Sequence, residues 1–104
     1  MLDHGEAKAV IVDPGFAGTM AKALKLRQAT TPLLVIDVQD ALFTGESQPV
    51  GSTTYEAFIA GGDPAFAWQL PGDEWDAIAL NYTSGTTGNP KGVVYHHRGA
   101  AMNA

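Results

Sequence analysis

The sequence predicts an α/β fold: a partial, mostly parallel sheet with flanking helices. Three short apolar runs, at residues 9–12, 33–36 and 78–82, have the length and composition of buried strands. Between them lie segments with helical spacing or helix-capping signals, so strands alternate with helices along the chain. Parallel neighbours in a sheet need such crossover connections, and the alternation therefore favours a parallel sheet.

The N-terminal segment predicts a helix end followed by a strand. Residues 1–6 resemble the last turn of a helix that closes on Gly5, a residue type that tolerates the left-handed backbone of a helix end. The apolar run at 9–12 follows, and Asp-Pro-Gly at residues 13–15 predicts the turn through which that strand leaves the sheet.

The clearest helix prediction covers residues 16–27. Phe16, Met20 and Leu24 recur at helical spacing, with basic residues on the other faces, which is the pattern of an amphipathic helix. This helix leads to the second predicted strand, at 33–36.

The middle of the chain predicts a loop and two short helices. Residues 39–50 are mixed and interrupted by Gly and Pro, which favours a loop. Thr54 is a suitable N-cap for a helix over 55–60 that ends at two glycines. Asp63-Pro64 repeats the start signal and predicts a second helix that ends at Pro71-Gly72.

The last part of the chain predicts a third strand and an incomplete helix. The strand at 78–82 runs into a polar glycine loop, and residues 97–104 begin a helix without a stop signal. Because the helices at both ends look incomplete, we expect the chain to be a segment of a larger α/β domain.

Composition excludes several classes of function. The 104 residues carry a net charge of −5, and no Lys or Arg occurs between Gln28 and Pro90. Nucleic acid and anionic membrane are therefore poor partners, since phosphate-backbone affinity needs clustered basic side chains. The absence of Cys excludes a disulfide scaffold, a thiolate nucleophile and a Cys-ligated zinc site in this sequence. No apolar run approaches the ~20 residues of a membrane helix, so we expect no membrane span and a cytoplasmic location.

One loop has the residue types of a ligand-binding site. Residues 83–91 read Thr-Ser-Gly-Thr-Thr-Gly-Asn-Pro-Lys, and this combination suits a polyphosphate. Glycines let backbone N–H groups approach, hydroxyls donate hydrogen bonds, and Lys91 supplies positive charge. The loop is not the P-loop of the common NTPases, which has Gly before the Lys and Ser or Thr after it.

Residue for residue, residues 83–91 resemble the signature loop of the AMP-forming adenylating superfamily. That pattern has two hydroxyl residues, Gly, two hydroxyl residues, Gly, any residue, Pro and Lys, and every position fits. The flanks at 73–82 and 92–100 resemble the fatty acyl-CoA synthetase branch, as do residues 2–13. The chain is thus identified as a segment, residues 1–104, of the large AMP-binding N-terminal domain of an acyl-CoA synthetase.

The resemblance implies that the segment binds ATP in an enzyme that activates a fatty (carboxylic) acid as its acyl-adenylate and transfers the acyl group to coenzyme A. It further implies Mg²⁺ with ligands outside the segment, no catalytic residue inside it, and the rest of the parent chain as its partner. The isolated segment is then expected to be inactive. The residues that the resemblance assigns to ATP phosphate binding are Thr83, Ser84, Gly85, Thr86, Thr87, Gly88, Asn89, Pro90 and Lys91.

Other polar clusters have structural interpretations. Adjacent His96 and His97 lack acidic or Cys partners at ligand spacing, so a helix-entry position is favoured over metal binding. Asp37 and Asp40 follow a strand and fit a turn better than a catalytic pair. The acidic residues within 73–76 fit a solvated strand entry better than magnesium ligands.

A second hypothesis stays open at the level of sequence. The chain begins with Met1, so a truncated module that binds nucleotide without catalysis, or a non-functional fragment, is the alternative to an enzyme segment.

Overall fold

The computed structural model describes residues 1–84 and 88–104, which form two compact units, Met1–Pro64 and Ala65–Ala104. The first unit confirms the α/β class. Its elements are β1 (Ala9–Val12), a 3₁₀ turn (Pro14–Phe16), α1 (Ala17–Leu26), β2 (Leu34–Asp37), β3 (Thr53–Thr54) and α2 (Tyr55–Ala60).

The sheet of the first unit is parallel, in the order β1-β2-β3. Val12 lies beside Asp37 and Ile11 beside Ile36 in the register of β1 and β2, and α1 provides the crossover between them. Val12, Ala17 and Ile36 are the buried apolar residues of the described part of the chain. The small core of this unit therefore involves both longer strands and the first residue of α1.

The predicted turn after β1 is present. The Asp13 carboxylate accepts a hydrogen bond from the Gly15 N–H at 2.8 Å, which caps the 3₁₀ turn. Thr54 caps α2 as predicted, since its Oγ1 accepts from the Ala57 N–H at 3.3 Å. The turn after β1 and the Thr54 cap depend on residues close together in the sequence, and both predictions are confirmed.

The carboxylate of Asp37 connects β2 to the segment that leads into β3. Its two oxygens accept hydrogen bonds from the N–H groups of Val50, at 3.2 Å, and Gly51, at 2.8 Å. A Cβ at position 51 would lie 2.5 Å from the Val35 carbonyl oxygen, so only glycine fits there without displacement of the backbone. This close approach brings Thr53 beside Ile36 and makes β3, which the sequence did not predict.

The N-terminal turn differs in detail from the prediction. The Gly5 N–H donates to the Met1 carbonyl at 2.8 Å, as at a helix end, but the left-handed residue is Glu6, with φ of 49°. Asp3 anchors this turn to the end of α1, because its carboxylate accepts from the N–H groups of Gln28, at 2.8 Å, and Ala29, at 3.3 Å.

The second unit contains β4 (Ala77–Thr83), β5 (Lys91–His96) and α3 (His97–Met102). The third predicted strand is thus present as β4. The prediction that it is buried in a parallel sheet is wrong, because β4 pairs with β5 in an antiparallel hairpin and is mostly exposed. The polar loop explains the difference, since it returns the chain directly to the neighbouring strand.

The helix predicted after Asp63-Pro64 is wrong, because residues 63–71 form a turn and irregular backbone. Apolar side chains there occur at Phe66, Trp68 and Leu70, a spacing of two that cannot give one helical face. A segment this short is also below the length at which helix propensity alone is sufficient.

Candidate functional site

The candidate site is the connection between β4 and β5. Thr83, the last residue of β4, lies directly opposite Lys91, the first residue of β5. The first and last residues of the predicted phosphate loop therefore meet at the base of the hairpin. Gly85, Thr86 and Thr87 lie outside the described residues, and their predicted role is a proposal taken up below.

Pairing ends at Thr83 and Lys91 for a chemical reason. The next pair in register would be Ser84 with Pro90, and Pro90 has no N–H with which to extend the ladder. Gly88 has φ of +108°, a backbone conformation that side-chain-bearing residues rarely adopt, and nothing lies within 4 Å of the place where a Cβ would stand. Conformation, not space, therefore requires glycine at position 88.

On the opposite face of the hairpin, Gly92 allows close packing. A Cβ there would lie 2.9 Å from Cδ1 of Leu80 and 3.7 Å from Cε1 of Tyr82, its register partner. These side chains thus cover the Gly92 backbone, while Thr83 and Lys91 share the other face because they are a directly opposed pair.

The electrostatics of this unit leave Lys91 available. The second unit contains one Lys, Lys91, and one Arg, Arg98. Nη1 of Arg98 is 2.6 Å from Oε1 of Glu74, so Arg98 is already paired with an acidic side chain. Lys91 is exposed, and no acidic side chain of residues 1–84 or 88–104 pairs with it. An exposed ammonium group on the residue opposite Thr83 can neutralise and hydrogen-bond an anion such as a phosphate.

A small cavity of about 120 Å³ lies at the carboxyl end of the parallel sheet in the first unit, where α/β folds often bind ligands. Asp37 and Thr54 line it, together with apolar residues such as Val12. The carboxylate of Asp37 and the hydroxyl of Thr54 already accept backbone hydrogen bonds. These two polar groups of the cavity lining therefore already stabilise the fold.

The histidine pair lies at the entry to α3, as expected. The Nδ1 of His96 accepts a hydrogen bond from the Gly99 N–H at 3.0 Å and caps the helix, and the His97 N–H donates to the Asp76 carbonyl at 3.1 Å. In the part of the chain that the structure describes, no three His, Asp or Glu residues come together in a way that could hold a metal ion.

The acidic residues also have structural partners. Asp40 accepts from the Leu42 N–H at 2.8 Å, so it belongs to a turn, as Asp37 belongs to the β2–β3 connection. The Asp73 carboxylate accepts from the Trp75 N–H at 2.9 Å. The expected preference for structural roles is consistent with each of these contacts.

Sequence reasoning missed one cluster. The ring of Trp75 lies 4.7 Å from the ring of His96, and the Arg98 guanidinium carbon is 5.6 Å from the Trp75 ring centre. Glu74 completes the group through its ion pair with Arg98. The available signal was one of charge: an acidic segment at 73–76 in a unit with only two basic residues.

Comparison with known proteins decides the family. The family model described as AMP-binding enzyme matches residues 1–104. The chain belongs to the AMP-binding enzyme family. This confirms the resemblance to adenylating enzymes seen in the loop and its flanks.

Several curated relatives of this AMP-binding segment are CoA ligases by name, and others are named probable acyl-activating enzymes. The chain is 41% identical over 114 residues to the peroxisomal acetate/butyrate–CoA ligase of Arabidopsis thaliana, covering 100% of this chain and 20% of the relative. Against the acetate–CoA ligase of Humulus lupulus the identity is 43%, covering 98% and 20%. Against the 2-methylpropanoate–CoA ligase of the same plant it is 42%, covering 95% and 18%.

The AMP-binding segment thus spans about a fifth of the length of the curated relatives that it matches. No solved structure gives a significant match. Among the described residues, no helix is both long and apolar enough to cross a membrane.

Proposed function

We propose that residues 1–104 are part of the N-terminal domain of a longer AMP-forming acid–CoA ligase, and that residues 83–91 bind the phosphates of ATP. The family match over the whole chain supports the first statement. The second is carried by Lys91, an exposed cation opposite Thr83 that forms no ion pair with the described residues. Several relatives are named as CoA ligases, which favours this reaction over other adenylate-forming chemistry.

The proposed reaction has two steps. A carboxylate oxygen of the acid attacks the α-phosphorus of ATP, the bond to the bridging oxygen breaks, and pyrophosphate leaves with the electron pair. The sulfur of coenzyme A then attacks the acyl carbon of the acyl-adenylate, AMP leaves, and the thiol proton is released. The segment contributes to the first step by holding the phosphates that become pyrophosphate.

The electrostatic requirement of that step matches the donors of the loop. Negative charge accumulates on pyrophosphate as the bond breaks, and preorganised donors at that position lower the barrier. The ammonium group of Lys91 and the hydroxyls of Thr83 and Ser84 are suitable donors. We propose that the remaining loop residues also bind the phosphates: Gly85, Thr86, Thr87, Gly88 and Asn89 as donors, and Pro90, which has no N–H, as part of the loop backbone.

Mg²⁺ is the expected companion of ATP. The described part of the loop offers hydroxyls and an ammonium group but no carboxylate, and magnesium is usually held by carboxylates together with substrate phosphates. We therefore propose that its protein ligands lie outside this segment. Coenzyme A is proposed as the second co-substrate on the same family grounds.

The acid substrate and the location are open to direct test. We propose a fatty or other carboxylic acid, and the relatives named for acetate, butyrate and 2-methylpropanoate make short acids the first to assay. We propose a cytoplasmic location, while the word peroxisomal in the name of the Arabidopsis relative supplies the alternative. Imaging of a fluorescent fusion of the full-length protein distinguishes the two.

The deciding experiment is steady-state kinetics of pyrophosphate release by the full-length protein, with ATP varied, for Lys91→Ala and for a matched control, Lys22→Ala. Lys22 is an exposed lysine on α1 in the other unit. We expect Lys91→Ala to lower kcat/KM for ATP by ~10² to 10³, the usual effect of losing one preorganised donor, and Lys22→Ala to change it less than twofold. A Lys91→Ala enzyme within twofold of wild type contradicts the phosphate-binding role.

The same assay separates the enzyme from the alternative of a non-catalytic module. A full-length protein that binds ATP but releases no pyrophosphate with any short or long acid supports the module. Acid-dependent release supports the ligase.

A further inference from the structure

The two faces of the β4–β5 hairpin differ in chemistry. Successive residues of a strand point to opposite faces, and the pairing of β4 with β5 is continuous over residues 79–83. Leu80 and Tyr82 share one face with Gly92, since a Cβ on Gly92 would lie 2.9 Å from Cδ1 of Leu80 and 3.7 Å from Cε1 of Tyr82. Thr83 and Lys91, at the base of the proposed phosphate loop, therefore lie on the opposite face.

Asn81 lies on the same face as Thr83 and Lys91. It precedes Thr83 by two positions, which is about 7 Å along a strand. Because Asn81 pairs with Val93, it is also the diagonal neighbour of Lys91, and diagonal neighbours in a sheet are within reach of long side chains. A ligand that is held at Thr83 and Lys91 and extends along this face therefore meets the Asn81 carboxamide next.

The Asn81 side chain has no structural partner that explains its presence in a strand. Asn is depleted in strands, and the other residues of β4 before Thr83 are Ala, Ile, Leu and Tyr. Asn81 is exposed, and its carboxamide forms no hydrogen bond with residues 1–84 or 88–104. Neither strand propensity nor an internal contact accounts for Asn at this position, whereas contact with a ligand does.

The chemistry of the carboxamide fits a phosphate group. It provides two N–H donors without a charge, and hydrogen bonds to an ionised acceptor are stronger than those between neutral groups. The loop is proposed to hold the phosphates that become pyrophosphate, so the next phosphate along the nucleotide is the α-phosphate. This is the phosphate that stays with AMP when pyrophosphate leaves.

We propose that Asn81 donates a hydrogen bond from its carboxamide N–H to the α-phosphate of ATP. The inference rests on the proposed function, because it continues the phosphate site from the loop onto the adjacent face of the hairpin. The site is then divided: Lys91 binds the pyrophosphate part of ATP, and Asn81 binds the AMP part.

This division makes the two products separate probes of the site. The contact of Lys91 is made to pyrophosphate, and that of Asn81 is made to AMP. The experiment therefore measures the inhibition constants of AMP and of pyrophosphate, each against ATP, from initial rates of acyl-CoA formation by the full-length protein.

The variants are Asn81→Ala, Asn81→Asp and Lys91→Ala, with Asn103→Ala as the matched control. Asn103 is an exposed asparagine of the same unit that follows α3, and its Nδ2 donates to the Gly99 carbonyl at 3.1 Å. Asn81→Asp keeps the shape of the side chain but replaces the donor by a negative charge. Thermal melting of each variant shows that it is folded, as expected for substitutions of exposed side chains.

We expect Asn81→Ala to raise the inhibition constant of AMP about tenfold, the usual effect of losing a hydrogen bond to a charged group, and that of pyrophosphate less than twofold. Asn81→Asp should raise the AMP constant further, because a carboxylate repels the phosphate. Lys91→Ala should show the reverse pattern, and Asn103→Ala should change neither constant more than twofold. A merely structural role of Asn81 would change the melting temperature without distinguishing AMP from pyrophosphate.

The inference and the proposed function fail in different ways. If AMP inhibits Asn81→Ala and Asn81→Asp as it inhibits wild type, the inference is overturned, while a raised pyrophosphate constant in Lys91→Ala keeps the proposed function. An equal rise of both constants in Asn81→Ala also overturns the inference, because Asn81 then acts on the whole loop. An unchanged pyrophosphate constant in Lys91→Ala overturns the proposed function, and the inference with it.

Discussion

Lys91 lies directly opposite Thr83, so the base of the proposed phosphate loop is a cross-strand pair. This pairing fixes the separation of the loop ends to that of two neighbouring strands, and it places a hydroxyl and an ammonium group on one face. Pro90 has no N–H, so the ladder does not extend to a pair with Ser84. Pro90 therefore ends the strand pairing, whereas Lys91 provides the positive charge.

Gly88 provides a conformational test of the loop. We expect Gly88→Ala to be strained by roughly 1–2 kcal/mol, because φ is +108°, and to raise KM for ATP. Gly18→Ala is the matched control: it also has open space around the missing Cβ, but it lies in α1 and should stabilise the helix by about 0.5–1 kcal/mol. Thermal melting and ATP kinetics of both full-length variants check this. If both variants had the same melting temperature and the same KM for ATP, the positive φ of Gly88 would not be what requires glycine there.

Gly51 provides a steric test of the parallel sheet. Its Cβ would lie 2.5 Å from the Val35 carbonyl oxygen and 2.9 Å from Oδ2 of Asp37, so we expect Gly51→Ala to separate β3 from β2 and lower the melting temperature by several degrees. Gly72→Ala, with nothing within 4 Å, should change it by less than one degree or so. Hydrogen exchange at Ser52, whose N–H donates to the Val35 carbonyl at 3.1 Å, should rise only in Gly51→Ala. An unchanged exchange rate at Ser52 in Gly51→Ala would contradict the expected separation of β3 from β2.

Local signals explain which parts of the fold could be predicted. The apolar run of β1, the helical spacing of α1 and the Thr54 cap of α2 act over a few residues, and all three elements appear where expected. The two-residue strand β3 could not be predicted, because it depends on Asp37 accepting hydrogen bonds from residues 13 and 14 positions away. The pairing of β4 with β5 is likewise a long-range choice that an apolar run does not determine.

The candidate site divides in the same way. The residues proposed to bind phosphate form one contiguous motif, so their resemblance to a known loop could be seen in the sequence. The cluster of Glu74, Trp75, His96 and Arg98 could not, because Glu74 and Arg98 are separated by 24 positions and meet only when the hairpin forms. The pairing of β4 with β5 also shifts by one residue between Ala77 and Ala79, and no glycine in β4 marks this shift in the sequence.

Asp3 gives a pH-dependent prediction. The hydrogen bond from the Gln28 N–H, aided by that from Ala29 and by the charges of Arg27 and the N-terminus, lowers the pKa of Asp3 below its ordinary 3.8, although partial desolvation opposes this. The Arg27 Nε is 3.4 Å away but is not hydrogen-bonded, so the backbone donors dominate. Because the pKa of Asp3 is lower in the folded state than in the unfolded state, its ionised carboxylate stabilises the fold at pH values above the unfolded-state pKa. This stabilisation is lost as the pH falls through the folded-state pKa.

The measurement compares Asp3→Asn with Glu46→Gln, an exposed loop acid, between pH 7 and pH 2.5. We expect Asp3→Asn to melt below wild type at neutral pH and the difference to disappear toward the acid end, because protonated Asp3 no longer provides the charged acceptor. Glu46→Gln should follow wild type throughout. A difference between Asp3→Asn and wild type that grows on acidification would contradict the assigned sign.

The isolated 104-residue chain should be marginally stable and inactive. Among the described residues only Val12, Ala17 and Ile36 are buried hydrophobics, while large apolar side chains such as Trp68 and Leu70 are more than nine-tenths exposed. So small a core cannot offset the conformational entropy of ordering the chain, and a two-stranded hairpin is itself only marginal in water. We expect a broad thermal transition, binding of a hydrophobic dye, and no acyl-CoA formation from ATP, acid and coenzyme A above the level of a Lys91→Ala control. A sharp cooperative transition with dispersed amide resonances would show instead that these few buried residues are sufficient for an independent domain.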